Sequence, residues 1–215
     1  MIFEIFMSRE LEVRLETWAE RVYPPSLIGR TFAEEVVRRS AQGLRILDVG
    51  CGSGLIGIVA SLCGADVTCV DIDPAAVQNT IYNAGLNDTE IEAWESNAFE
   101  AVGDRKFDLI AANCPHPDLD LFTRVVSEGA EHLEVGGSLL VWTTSAFSIE
   151  ECEALIYGTW DCVEIVRELK YDFHKIGAVS PEVSAAIPAL LEQGRLEKYG
   201  SRHVAVARWY VLRRI

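Results

Sequence analysis

Residues 44–54, Leu44-Arg45-Ile46-Leu47-Asp48-Val49-Gly50-Cys51-Gly52-Ser53-Gly54, constrain the fold more than any other stretch of the chain. Leu44, Ile46, Leu47 and Val49 make a near-continuous apolar run, as expected of a strand covered on both faces. Asp48 stands near the end of that run. Glycines at 50, 52 and 54 then break it just before a second apolar run that reads as a helix. Glycine there permits positive φ and close approach of the backbone to a ligand. Such a turn also presents free N–H groups at a helix N-terminus, a seat for a negatively charged or carboxylate-bearing cofactor.

From this point strands and helices alternate. The pattern predicts a strand over 44–49, a helix over 54–63, a strand over 66–71 and a helix over 74–85. A short strand near 90–94 and a strand over 107–112 follow. A helix near 119–134, a strand over 138–143, a helix from about 148 and strands over 162–168 and 203–212 complete the series. Such alternation implies an α/β, doubly wound, mainly parallel sheet with helices on both faces. Right-handed crossovers place every parallel strand's C-terminus, and so the ligand, on one edge. Upstream, Leu11, Leu15 and Trp18 share one face of a helix expected over 8–21, and a second helix is expected over 31–40. The plan is one domain: a helical cap (1–43), a cofactor core (44–169), an insertion (170–202) and a last strand (203–215). The insertion breaks the alternation beside the ligand edge, and its expected role is a lid.

With 19 basic and 33 acidic residues the chain carries a net charge of −14. That balance argues for solubility and against a bulk nucleic-acid substrate, which such a surface repels. The six cysteines include no C-x-x-C pair and lie largely in apolar runs, as in a reduced, cytoplasmic protein. Residues 1–16 lack a basic leader and an apolar span, so no signal or membrane segment is expected. The four histidines are scattered and no metal-ligand spacing occurs.

Two ligand readings compete at the glycines. Gly52-Ser-Gly54-Leu-Ile-Gly57 satisfies the dinucleotide pattern, with Asp71 nineteen residues beyond Gly52. A carboxylate at Asp48 would repel a pyrophosphate, whereas it suits a cationic, amine-bearing ligand. The bland alternative is a glycine-rich turn with no ligand.

The acid-x-Gly-x-Gly-x-Gly form resembles the first motif of the class I S-adenosyl-L-methionine (SAM) methyltransferases. The resemblance spans residues 20–145 and implies a Rossmann-like, seven-stranded, mainly parallel sheet with the last strand antiparallel. It also implies a cofactor site. Asp48, Gly50, Gly52 and Gly54 would meet the methionine end. Asp71 would accept the ribose hydroxyls, and Ile72 would pack on the adenine. Asn97 and Ala98 would bind the adenine edge, Asn97 standing where similar enzymes often carry an acid. Asp73, followed by Pro74, reads instead as a helix N-cap. Tyr23-Pro24-Pro25-Ser26 resembles the aromatic-Pro-Pro-Ser segment that flanks the methionine end.

Asn113-Cys114-Pro115-His116 resembles the Asn-Pro-Pro-aromatic signature of amino- and amide-nitrogen methyltransferases, among them the release-factor glutamine enzymes. By that resemblance Asn113 and the Cys114 carbonyl accept hydrogen bonds from the target nitrogen. Pro115 stiffens the loop, and His116 stands where the family stacks an aromatic ring. Cys114 and His116 depart from the pattern and leave the acceptor open. The expected activity is SAM-dependent methylation of a small-metabolite nitrogen. Protein glutamine is the second acceptor, and a non-catalytic SAM-binding partner subunit is the rival.

Overall fold

The computed structural model describes residues 2–7, 11–18, 25–114, 119–146, 149–173, 185 and 187–215. The described elements run β1 (Ile2–Phe6), β2 (Glu12–Glu16), α1 (Leu27–Arg39), β3 (Arg45–Val49), α2 (Leu55–Leu62), β4 (Asp66–Asp71), α3 (Pro74–Leu86), β5 (Glu92–Glu95) and β6 (Phe107–Ala111). They continue with α4 (Leu119–Glu128), a 3-10 turn (Gly129–His132), β7 (Leu133–Thr144), α5 (Ile149–Thr159), β8 (Val163–Asp172), α6 (Ile187–Glu192), β9 (Glu197–Tyr199) and β10 (Arg202–Arg213).

The main sheet has the order β5-β4-β3-β6-β7-β10-β8, with the short β9 added beside β10. Strands β5, β4, β3, β6 and β7 are mutually parallel, and β10 is antiparallel to both β7 and β8. This is the expected sheet with one extra short strand. The neighbouring residues Ile46 and Leu47 are both fully buried, yet they belong to core clusters on opposite faces. Their adjacency explains why β3 reads as a near-continuous apolar run rather than an alternating one. The chain winds outward through β4 and β5, then returns to the other side of β3 for β6. The crevice between the C-terminal ends of β3 and β6 is therefore the switch point at which doubly wound sheets bind ligands.

Local caps set the helices around this crevice. Ser26 Oγ accepts the Gly29 N–H at 3.0 Å and starts α1. Asp73 accepts the Ala75 N–H at 2.8 Å, with Pro74 beginning α3, so Asp73 is the cap the sequence indicated.

The N-terminal helix expected over 8–21 is absent from the described residues, which form an antiparallel hairpin instead. Ile5, Val13 and Leu15 point into the core while Glu4, Glu12 and Arg14 face outward, a period of two rather than 3.6. The helical spacing of Leu11, Leu15 and Trp18 misled because β2 finds its partner in β1, which a single segment does not reveal. The proposed insertion also starts later than expected. Strand β8 continues to Asp172, where the Tyr171 hydroxyl and Thr144 Oγ1 hydrogen-bond at 2.6 Å. Ile187, Leu190 and Leu196 are buried against the α1-side core, and Ser145 Oγ donates to the Arg195 carbonyl at 2.8 Å. The described part of the segment is thus fastened to the sheet. Residues 174–184, which contain His174 and on which the lid expectation now rests, lie outside the described residues.

Candidate active site

The glycine loop occupies the carboxyl end of β3. The N–H groups of Gly50 and Cys51 both donate to the Val70 carbonyl, at 2.8 and 3.1 Å. Gly50, Gly52 and Gly54 adopt φ of +76°, +55° and +83°, values that disfavour any side chain. At Gly54 a Cβ would also sit 3.0 Å from Thr80, so helix α3 closes the loop from behind. At Gly52 a Cβ would meet nothing within 4 Å, so the front of the loop is open. The loop runs directly into the N-terminus of α2, with Gly54 as its cap residue.

Asp48 departs from its expected place. Its side chain is 1% exposed and lies beneath the loop, where Oδ2 accepts the Gly57 N–H at 3.1 Å. Gly54 has no side chain to cap α2, and Asp48 supplies the missing acceptor to the helix's third residue. Burial pushes the Asp48 carboxyl up to about 7; the Gly57 N–H opposes the shift and the nearby Asp71 charge adds to it. The expectation that this carboxylate faces the cofactor's amine is corrected: Asp48 holds the loop and the first turn of α2.

Asp71 ends β4 as expected. Its Oδ2 accepts the Gly52 N–H at 2.9 Å and its Oδ1 the Asp73 N–H at 3.0 Å. Each oxygen keeps a lone pair for a further donor. Ile72, the next residue, is 65% exposed. Beyond β5, Asn97 is exposed and donates to Glu100 at 3.1 Å, which leaves its amide oxygen open. Ala98 takes a left-handed backbone with φ +51°, and its carbonyl accepts the Ser96 hydroxyl at 2.8 Å.

Asn113 follows β6 across the crevice. Its amide oxygen is buried and has no hydrogen-bond partner. A Cβ at Gly29 would lie 3.6 Å from Asn113 Nδ2 and 3.5 Å from Ser26 Oγ, so the first turn of α1 packs directly beside the Asn113 amide. Ser26, the end of the aromatic-Pro-Pro-Ser segment, therefore reaches the site. Cys114 is buried. Tyr23, Pro115 and His116 lie outside the described residues.

The donor set fits SAM. The N–H groups of Gly50, Cys51, Gly52 and Gly54 are engaged within the fold, and the N-terminus of α2 beside the open front of the loop suits a carboxylate. The carboxylate of Asp71 can receive two hydroxyls, and Ile72 offers an apolar face for a planar base. The orphaned Asn113 oxygen awaits an N–H.

A family model described as the methyltransferase small domain matches residues 29–172. The chain belongs to this methyltransferase family. The methyl donor of such enzymes is SAM, and the dinucleotide reading of the glycines is set aside. The ribosomal protein L11 methyltransferase of Janthinobacterium sp. (strain Marseille) is 32% identical over 114 residues, covering 52% of this chain and 36% of that protein. That of Clostridium botulinum (strain Eklund 17B / Type B) is 35% identical over 170 residues, covering 68% of this chain and 52% of that protein. The chain thus spans between about a third and a half of the length of these relatives. Among solved structures, a 16S rRNA methyltransferase from T. thermophilus, in complex with AdoMet and guanosine, superposes with a TM-score of 0.65 at 21% identity. It covers 97% of this chain and 50% of that one, and at this identity it speaks for the fold.

These names overturn the expectation of a small-metabolite acceptor with nucleic acid set aside, since the relatives and the neighbour are named for a ribosomal protein and an rRNA. The inference from charge failed because −14 is a sum over the whole surface, whereas a partner meets a local one. Among the described residues, no helix is long and apolar enough to cross a membrane.

The residues sequence reasoning missed lie behind the loop. Thr80 donates to the Gly52 carbonyl at 3.2 Å, and Asn83 donates to the Ser53 carbonyl at 2.8 Å. A signal was present: helix α3 and its cap carry asparagine at 79, 83 and 87, poor helix formers repeated every four residues.

Proposed function

We propose that this chain transfers the methyl group of SAM to a nitrogen atom of a protein acceptor. The observation that carries the nitrogen assignment is the buried, unpartnered amide oxygen of Asn113 at the switch point. Leaving such an oxygen without a donor costs on the order of 1–3 kcal/mol. An incoming N–H removes that cost and turns the nitrogen lone pair away from Asn113.

Bound SAM supplies an electrophilic methyl on a sulfonium. The chain therefore needs to align and desolvate rather than to provide a nucleophile. The open front of the loop around Gly52 takes the methionine end, and the N-terminus of α2 takes its carboxylate. Asp71 accepts the ribose hydroxyls, and Ile72, Asn97 and Ala98 hold the adenine. Asn113 and the Cys114 carbonyl direct the acceptor nitrogen.

A protein acceptor is favoured because the relatives with more than 30% identity are named for a ribosomal protein. The rRNA enzyme, at 21% identity, is a neighbour in fold. The choice between amine and glutamine amide turns on the acceptor loop, where the asparagine is kept and the following residues differ from the glutamine enzymes.

The test is methyl transfer from labelled SAM to a panel of basic proteins, with RNA and free metabolites alongside, and mass-spectrometric location of the methyl. N-methylation of a protein side chain or terminus is expected. Label appearing on RNA, or on oxygen or carbon, overturns the acceptor. SAM binding without transfer to any substrate favours a non-catalytic partner subunit.

A further inference from the structure

Helix α3 lies along the outer edge of β2, and three asparagines of its face meet that strand. One step of four residues along a helix advances about 6 Å, and two residues of strand advance about 6.6 Å. The two repeats nearly match, so Asn83 and Asn87 meet alternate strand residues. Asn87 Oδ1 accepts the Arg14 N–H at 2.8 Å, and Asn87 Nδ2 donates to the Arg14 carbonyl at 2.7 Å. Asn83 Oδ1 accepts the Glu16 N–H at 2.8 Å, and Asn83 Nδ2 donates to the Glu16 carbonyl at 3.0 Å. Asn79 Nδ2 adds a bond to the same carbonyl at 2.7 Å. Each of the two pairs reproduces what a neighbouring strand would offer, and together they cover an edge that would otherwise stand open.

Asn83 does one thing that Asn87 does not. Its second N–H reaches the Ser53 carbonyl at 2.8 Å, inside the glycine loop. One turn earlier, Thr80 Oγ1 donates to the Gly52 carbonyl at 3.2 Å. Asn83 is fully buried, and these bonds use both of its amide hydrogens. The amide plane is therefore set by β2 on one side and sets the loop on the other. The carbonyls it and Thr80 hold belong to the peptide units that fix which way the loop's N–H groups point.

We infer that Asn83 is a positioning residue for the cofactor loop, and that the N-terminal hairpin forms part of the SAM site through it. The inference rests on the SAM reading above. Docking of β2 orients the Asn83 amide, and the amide holds Ser53. Linkage makes the effect reciprocal: a docked hairpin tightens SAM, and bound SAM protects the docked hairpin.

The experiment compares the wild-type chain with Asn83→Ala and Asn87→Ala by titration calorimetry with SAM. Both variants lose a hairpin bond pair, and only Asn83→Ala loses the loop bond. Asn83→Ala is expected to weaken SAM by about tenfold or more, and Asn87→Ala by no more than about twofold, since one buried bond to the loop separates them. Hydrogen exchange gives the second readout. SAM is expected to slow exchange at the Arg14 and Glu16 amides of the wild type and to lose that effect in Asn83→Ala. Should Asn83→Ala fail to fold, Thr80→Val preserves shape, removes the Gly52 bond and is expected to weaken SAM by about threefold or more. A wild type that does not bind SAM overturns the cofactor reading itself. A wild type that binds, with Asn83→Ala (or Thr80→Val in its place) within about twofold of it, overturns the inference. So does an equal loss in Asn83→Ala and Asn87→Ala, which marks the asparagines as plain anchors of the hairpin.

Discussion

On the β4 side of the switch point the proposed cofactor site is shaped mainly by backbone; on the β6 side the proposed acceptor site rests mainly on a side chain and on segments brought from far along the chain. Three left-handed glycines, two N–H bonds to Val70 and the Asp71 carboxylate shape the cofactor side within 22 residues of chain, from Gly50 to Asp71. The acceptor side joins Asn113 after β6 to Ser26 and Gly29 of α1, more than eighty positions away. A cofactor that is the same for every member of a family can be read by main chain, whose geometry is cheap to specify with glycine. An acceptor that differs between members needs side chains, and those can change without disturbing the sheet.

The largest expected effect tests the acceptor side. Asn113→Ala should lower turnover by about 30- to 1000-fold, the 2–4 kcal/mol that one well-placed group in an oriented complex commonly contributes. SAM affinity, measured by calorimetry, should stay within about threefold. A parallel loss of SAM affinity would erase the division between the two sides.

Next comes the cofactor side. Asp71→Ala removes the acceptor for Gly52 N–H as well as two prospective ribose bonds, and should weaken SAM by about ten- to a hundredfold. Turnover at saturating SAM should change little. A large fall in turnover with SAM binding intact would move Asp71 into the reaction itself.

Asp48 separates holding the loop from touching the ligand. Its folded pKa of about 7 lies above the roughly 3.9 of an unfolded aspartate. Between those values the folded state keeps a proton that the unfolded state has released. The group's contribution to stability is therefore fully present below about pH 4, is lost as pH rises, and is gone above about pH 7. Urea unfolding should show wild type losing about 2 kcal/mol relative to Asp48→Asn between pH 5 and 8. No difference between pH 5 and 8 would mean that Asp48 is already ionised within the fold.

The smallest effect is expected at Asn97. Its amide is exposed and already shared with Glu100, so Asn97→Ala should weaken SAM by only about two- to threefold. A loss as large as that at Asp71 would show the adenine edge to be as firmly specified as the ribose.

How much of this was legible beforehand follows the same divide. The strand-glycine-helix run, the acid at the end of β4 and the Asp73-Pro74 cap are local patterns, and each lies where the alternation placed it. Asp48 was read as a carboxylate beside the loop that suits the cofactor's amine, whereas its side chain is buried on the Gly57 N–H, because a strand's side chains alternate between faces and the sequence does not say which face a helix will cover. The hairpin was mistaken for a helix because five-residue strands carry too little periodicity to outweigh a chance i, i+4, i+7 spacing. The acceptor expectation failed for another reason: net charge averages the whole surface.

By itself, then, the sequence determined the parallel α/β sheet, the glycine loop at its switch point and the methyltransferase class with SAM as donor, since these depend on neighbours within one βαβ unit. Tertiary structure alone decided that Asp48 caps α2 from below, that α1 lays Gly29 beside Asn113, and that Asn83 ties the hairpin to Ser53. Each of those contacts joins segments separated by roughly ten to eighty residues, and their meeting depends on helix packing and strand order rather than on any periodicity the chain displays.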